Sequence, residues 1–293
     1  GGRTWLPRVT VFDRPNEDDR GGSISQMSDG TALLFTASGG MRTSADFGET
    51  WSEIRPTNIA SPSGGVEDEE GHIVYGGQAS VQKQFALIDG EPADLQACVI
   101  ERSRDKGLSW ERVGVATYTV YVKDKIEKTV LYQREPSLCV VPNKFYVMCT
   151  CCRMVGEGFI RVIRSADRGK TWGPVITTPV WGKPGHLLAL KDGRVLLSYG
   201  YRRPPYGVRA CLSYDYGQTW DMDNEIILRM DGGTPPGQAR KVSDTDLGYP
   251  QSIQLKDGRI FTVYYFNQNG SNAYMAGTFW ELPPRPAQTG KER

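Results

Sequence analysis

The side chains able to do chemistry in this 293-residue chain fall in a few short stretches: Arg134-Glu135-Pro136-Ser137, Arg153, Gly185-His186, Tyr201-Arg202-Arg203 and Gly248-Tyr249-Pro250. Glu135 puts a carboxylate at the start of an apolar run, where it is either a proton acceptor or an exposed strand-start group. Arg153 follows eighteen residues later, beyond a predicted hairpin, and Arg202 and Arg203 follow another. A guanidinium binds a carboxylate through two parallel hydrogen bonds, and the same group on a plain surface makes salt bridges. Tyr249 offers a phenol, which titrates at about 10 and is a poor nucleophile at neutral pH unless a base removes its proton. Without such a base it is a stacking wall or a packing residue. His186 stands alone at a strand start, and one imidazole without partners is no metal site.

These residues need a framework, and a repeated box supplies it. Ser44-Ala45-Asp46-Phe47-Gly48-Glu49-Thr50-Trp51 recurs at 103–110, 165–172 and 213–220, with Ser first, Asp third, Gly fifth, Thr or Ser seventh and Trp eighth. The Asp accepts hydrogen bonds from its own turn, the Gly takes a positive φ, and the Trp packs back beneath. Such a box fastens two strands and is not itself a reaction centre. Trp also sets the spacing: residues 5, 51, 110, 172, 220 and 280 lie 46, 59, 62, 48 and 60 apart, a blade-like period that predicts six blades. Between the marks, Asp29-Gly30, Asp192-Gly193 and Asp257-Gly258 separate paired apolar runs and predict β-hairpins. Gly71 and Asn143 hold the equivalent turns in two further units. No helical periodicity appears, so the predicted architecture is all-β. Val120–Lys128 and Asp231–Asp246 interrupt the rhythm as loops, the second at a place where it could border a ligand site.

Thirty-five basic against 34 acidic residues exclude a bulk electrostatic partner such as nucleic acid. No apolar run approaches the roughly 18 residues of a membrane span, and the first residues lack a signal peptide's basic and apolar blocks. The chain therefore reads as soluble, with its compartment open. Six cysteines include Cys149, Cys151 and Cys152 on one strand, too poorly placed to pair with each other, and they read as buried free thiols. None has zinc-type spacing, and no metal or other cofactor is implied.

On its boxes the chain resembles the sialidase (neuraminidase) superfamily, whose Asp-box (BNR) repeats sit at matching places on successive propeller blades. The resemblance implies a six-bladed β-propeller over residues 1–282, with 283–293 a tail. The first blade is either incomplete or closed by the N-terminal strand, since Gly1–Trp5 reads as the end of another box. It further implies an exo-glycoside hydrolase acting on a terminal acidic, 2-keto sugar of the sialic acid kind. Tyr249 maps onto the family's nucleophile and Glu135 onto its base, because a neutral phenol is not repelled by the sugar carboxylate as an anionic Asp or Glu is. Arg153 and Arg203 match two arginines of the carboxylate clamp, with Arg202 the alternative register, and His186 lines the pocket. Arg20 stands in for the first clamp arginine, with Glu17, Asp18 and Asp19 beside it as substitutes for the acid aspartate. Two other readings stay open: a non-catalytic carbohydrate-binding propeller with an arginine-lined pocket, and a protein-interaction scaffold.

Overall fold

The computed structural model describes residues 4, 7–16, 19, 21–122, 133–151, 158–233, 246–268 and 272–285. Five antiparallel sheets follow one another along the chain, each a meander of sequential strands. The first holds β1 (Ser23–Gln26), β2 (Ala32–Thr36), β3 (Gly40–Ser44) and β4 (Arg55–Pro56); the second holds β5 (Val66–Glu67), β6 (Ile73–Ile88), β7 (Glu91–Ser103) and β8 (Glu111–Val122). In the third are β9 (Arg134–Val141), β10 (Phe145–Cys151), β11 (Phe159–Ser165) and β12 (Ile176–Trp181). The fourth contains β13 (Gly185–Ala189), β14 (Val195–Tyr201), β15 (Tyr206–Ser213) and β16 (Asp221–Gly232), and the fifth β17 (Gly248–Gln254), β18 (Ile260–Phe266) and β19 (Tyr274–Trp280). Each sheet's first strand touches the next sheet's first strand, from β1 through β5, β9 and β13 to β17. Ser23 on β1 then donates to Gln251 Oε1 on β17 at 2.7 Å, which closes the succession. The arrangement is an all-β propeller with the first strands around a common axis.

The hairpins form where the Asp-Gly pairs predict them. Asp29, Asp192 and Asp257 accept from the amides of Thr31, Arg194 and Arg259 at 2.9, 3.1 and 3.1 Å, each turning the chain into its sheet's second strand. The core lies between sheets. Leu33, Phe35 and Met41 pack on Ile73, Tyr75 and Val99; Val74 and Ile100 pack on Leu138, Val140 and Met148; Val147, Cys149 and Val162 pack on Leu187 and Leu197. Leu196 and Leu212 meet Ile260, and Tyr206 and Val208 meet Tyr264 and Phe266, between the fourth and fifth sheets.

All four boxes are turns built as expected, and those of sheets two, three and four also pack on the preceding blade. In the third, Asp167 Oδ1 accepts from Ser165 Oγ at 2.8 Å and from the Thr171 amide at 2.9 Å, while Trp172 Nε1 donates to Gly169 O at 2.9 Å. The box glycines of sheets two, three and four face side chains of the preceding sheet, namely Met41, Ile100 and Val147. Gly107 is the tightest: at φ +86 its added Cβ would stand 2.2 Å from Met41 Sδ. Gly107→Ala is therefore expected to cost about 2–4 kcal/mol, from left-handed strain and overpacking together. Gly48→Ala, where a Cβ meets only Trp51 at 3.5 Å, should cost about 1–2 kcal/mol, from the left-handed backbone alone. Chemical denaturation of the two variants measures the contrast.

Hydrogen bonds from Thr50, Ser109 and Thr171 hold the box carboxylates of Asp46, Asp105 and Asp167 at about 2, down from 3.8. A depressed carboxylate stabilises the fold above its unfolded value and loses that contribution as pH falls through its folded one. The melting temperature should thus be flat above about pH 5 and decline between about pH 4 and pH 2. Asp167→Asn should start lower at neutral pH and lose less on acidification.

One expectation is corrected. Six blades were expected and five sheets are described, because the tryptophans mark blade ends. Trp51, Trp110, Trp172 and Trp220 follow the third strands of sheets one to four, Trp280 ends the third strand of sheet five, and Trp5 lies outside the described residues, ahead of the first sheet. The N-terminal segment expected either to close the ring or to end an incomplete blade, Gly1–Trp5, lies outside the described residues apart from Thr4. Residues 7–16 form no strand, and Val11 O accepts from Arg42 on β3, against the first sheet. Of the two interruptions, β8 takes up Val120–Val122 and β16 takes up Asp231–Gly232; 123–132 and 234–245 lie outside the described residues. Cys98, Cys139, Cys149, Cys151 and Cys211 are free and buried, and Cys152 lies outside the described residues. No helix of the described residues is long and apolar enough to cross a membrane.

Candidate active site

Glu135 and Tyr249 occupy the same local device on two different sheets. Between β9 and β10 the pairing runs from Ser137↔Cys149 to Arg134↔Cys151, three steps on one strand against two on the other. Between β17 and β18 it runs from Gly248↔Tyr265 to Gln251↔Val263, again three against two. The extra residue falls at Glu135-Pro136 in the first case and at Tyr249-Pro250 in the second. Proline suits a bulge because it has no N–H to withdraw from the ladder. Glu135 and Tyr249 both adopt left-handed backbone, at φ +52 and +47, which costs about 1–3 kcal/mol each and persists where the surroundings over-determine it. Each bulge turns its side chain out of the alternation of the first strand and toward the axis.

The two side chains meet there. Tyr249 Oη donates a hydrogen bond to Glu135 Oε1, although the residues are 114 positions apart. Cys151 Sγ donates to the second oxygen, Oε2, at 3.0 Å. Gln78 Oε1 accepts from the Glu135 amide at 3.5 Å and from Arg134 Nε at 3.4 Å, holding the bulged backbone from the second sheet. Tyr265 stacks on Tyr249, ring centroids 5.6 Å apart and 27° between planes. Its hydroxyl donates to Asp246 Oδ1, and burial chiefly, with the Asp246 carboxylate in support, pushes that phenol far above its ordinary value. Glu135, Tyr249, Tyr265, Asp246 and Arg134 wall a cavity of about 800 Å³, together with Gln78 on β6 and with Ser80 and Gln96 where β6 and β7 run on past the blade. No box residue lines it, so the fasteners lie away from the cavity among the described residues.

The arginines are placed less as expected. Arg202 lies beside the pair: its Nε donates to Leu247 O at 2.9 Å, its Nη2 reaches Tyr265 Oη and Asp246 Oδ1 at 3.2 Å each, and its Cζ lies 5.7 Å from the centre of the Tyr249 ring. Arg203, the favoured register, points elsewhere. It is exposed and sits 3.7 Å over the Trp181 ring, because successive residues leaving β14 turn to opposite sides. His186 is not part of the cavity wall. Its Nδ1 accepts from the Ser252 amide at 3.4 Å, and burial lowers its pKa to about 4, so it stays neutral near pH 7. Arg153 and Arg20 lie outside the described residues, as do Glu17 and Asp18, while Asp19 is bound by the amide and Nε of Arg14 at 2.8 and 2.7 Å.

Sequence reasoning missed Gln78, Gln96, Asp246 and Tyr265, and gave Arg134 no role of its own. Long-range packing alone brings most of them in, but the X-Pro pairs carried a usable signal. Ser61-Pro62 precedes β5, Glu135-Pro136 and Tyr249-Pro250 lie near the starts of β9 and β17, and the residue before each proline lines the cavity.

A family model described as the BNR repeat-like domain matches residues 1–262. The chain belongs to that family. Among solved structures, this BNR repeat-like chain is similar to a protein of unknown function from Dyadobacter fermentans, at 26% identity over 96% of this chain and 81% of that one, with a TM-score of 0.72. A GH93 α-L-arabinofuranosidase of Fusarium graminearum in complex with arabinobiose aligns over 92% of this chain and 84% of its own at 16% identity and a TM-score of 0.58. A Hadza microbial sialidase aligns over 84% of this chain and 43% of its own at 17% identity and a TM-score of 0.51. The last two carry the fold and not the substrate. Curated proteins yield no match.

Proposed function

We propose that the protein is a glycoside hydrolase in which Tyr249 is the nucleophile and Glu135 its base, acting on a terminal acidic sugar of the 2-keto kind. The observation that carries this is the Tyr249–Glu135 hydrogen bond, made between two strained, matched bulges at the wall of an open axial cavity. As the glycosidic bond breaks, the phenol oxygen bonds to the anomeric carbon and its proton passes to Glu135, while the departing oxygen takes up a proton from solvent. Water then displaces the tyrosine oxygen from the sugar and gives up one proton to solvent, and the phenol regains its proton from Glu135. Stacking on Tyr265 and the nearby Arg202 cation both hold the Tyr249 ring in one orientation. Arg134 on the cavity wall supports an anionic group on the sugar, with Arg153 the further candidate from the sequence.

A neutral sugar is the second reading, and one observation favours it. Arg202, the clamp candidate beside Tyr249, is already paired with Asp246, and much of the remaining polar wall is amide, from Gln78 and Gln96. Fold neighbours named for α-L-arabinofuranosides and arabinan agree with that alternative. The test is hydrolysis of fluorogenic glycosides, sialic acid and α-L-arabinofuranose first, alongside calorimetric binding of the free sugars. Turnover of the acidic glycoside supports the first reading, turnover of the arabinofuranoside alone supports the second, and tight binding without any turnover leaves a carbohydrate-binding propeller. Arg134→Ala should weaken binding of an acidic sugar by about 2–4 kcal/mol, since truncating one partner of a desolvated charge pair is costly. A neutral sugar should be affected by no more than about 1 kcal/mol, one hydrogen bond.

A further inference from the structure

We propose that Cys151 is a positioning residue for Glu135. The inference rests on the reading of Tyr249 and Glu135 as nucleophile and base. A carboxylate that must take a proton from one direction needs its rotation about the last side-chain bond held, and a strained backbone alone does not hold it. Both oxygens of Glu135 are engaged: Oε1 accepts from Tyr249 Oη on β17, and Oε2 accepts from Cys151 Sγ on β10 at 3.0 Å. The thiol is in place because of the same bulge that aims Glu135. At the register shift after Cys149↔Ser137, Cys151 pairs with Arg134, which brings it beside Glu135 across the ladder. Cys151 is buried, so its donor has little water to compete with the carboxylate. An unbridged thiol can donate its S–H where a disulfide sulfur cannot, and Cys151 is free. Cys149, two residues back, is equally buried but faces the core with Leu187 and Leu197. One thiol therefore packs, and the other orients a reacting group.

The test compares Cys151→Ala, Cys151→Val and Cys151→Ser with the wild-type chain on the glycoside it hydrolyses, with Tyr249→Phe as reference. Serine keeps a donor, valine fills the volume without one, and alanine does neither. The expected result is a kcat about tenfold lower for Ala and Val with KM within about twofold, and recovery to within about threefold of wild type for Ser, a hydrogen-bonded group's contribution. A purely structural role would lower melting temperature and injure Ser as much as Val. The inference is overturned if Ala or Val keeps wild-type kcat, or if Ser is as impaired as Val. Should one of the two donor-free variants fail to fold, the other decides. Wild-type-like turnover by Tyr249→Phe would instead overturn the underlying reading, and that outcome is separate from any result at Cys151.

Discussion

Tyr249→Phe is expected to lower kcat by about 10³-fold or more while leaving the fold and sugar binding nearly intact, the loss seen when one member of a nucleophilic unit is deleted. The change removes one oxygen, the one that donates to Glu135 Oε1. The ring keeps its stacking on Tyr265 at 5.6 Å and its place near Arg202, so the cavity wall should not collapse. A lost hydrogen bond accounts for about 1 kcal/mol of stability or affinity, whereas 10³ in rate corresponds to about 4 kcal/mol in the barrier. That gap separates a catalytic phenol from a binding one. Single-turnover kinetics and calorimetry on the same variant read the two quantities, and equal small losses in both would argue for a binder.

Glu135→Gln should be the second large effect, a fall in kcat of about 10²- to 10⁴-fold, the range general-base catalysis supplies. The amide is close to the carboxylate in shape and its one oxygen can still accept from either Tyr249 or Cys151, but it cannot take a proton. KM should therefore change far less than kcat. A carboxylate base works only when ionised, so wild-type kcat/KM should fall on acidification, and the variant should lose that limb. Retention of the limb in Glu135→Gln would assign it to another group.

How much of this was legible in the sequence depends on how local the cause is. The boxes and the Asp-Gly hairpins form as expected because a short side chain bonds its own turn within two to four residues, as Asp167 does with Thr171 and Asp192 with Arg194. The ring could be read from the repeat. Its blade count could not, because Trp5 has the spacing of a mark without a described sheet. Glu135 and Tyr249 were found through family resemblance, and their meeting depends on contacts between sheets three and five that no local pattern encodes. Arg202 and Arg203 show the limit most plainly: one residue of register exchanges the cavity side for a stack on Trp181. Gln96 stayed hidden because it sits where β7 continues past the blade, β6 and β7 being 16 and 13 residues long against seven or fewer in most other second and third strands, and Gln78 because its reach to the Glu135 backbone is a contact between sheets.

The central claim is a covalent bond between Tyr249 and the sugar, and trapping it is the most direct measurement. The protein is incubated with fluorinated glycosyl fluorides of a 2-keto acidic sugar and of arabinofuranose, which form the glycosyl enzyme quickly and release it slowly, and is then read by intact mass and peptide mapping. The account predicts one added sugar per chain on the peptide that contains Tyr249, and none in Tyr249→Phe. An adduct on another residue, or turnover of the matching glycoside with no adduct at Tyr249, would contradict it.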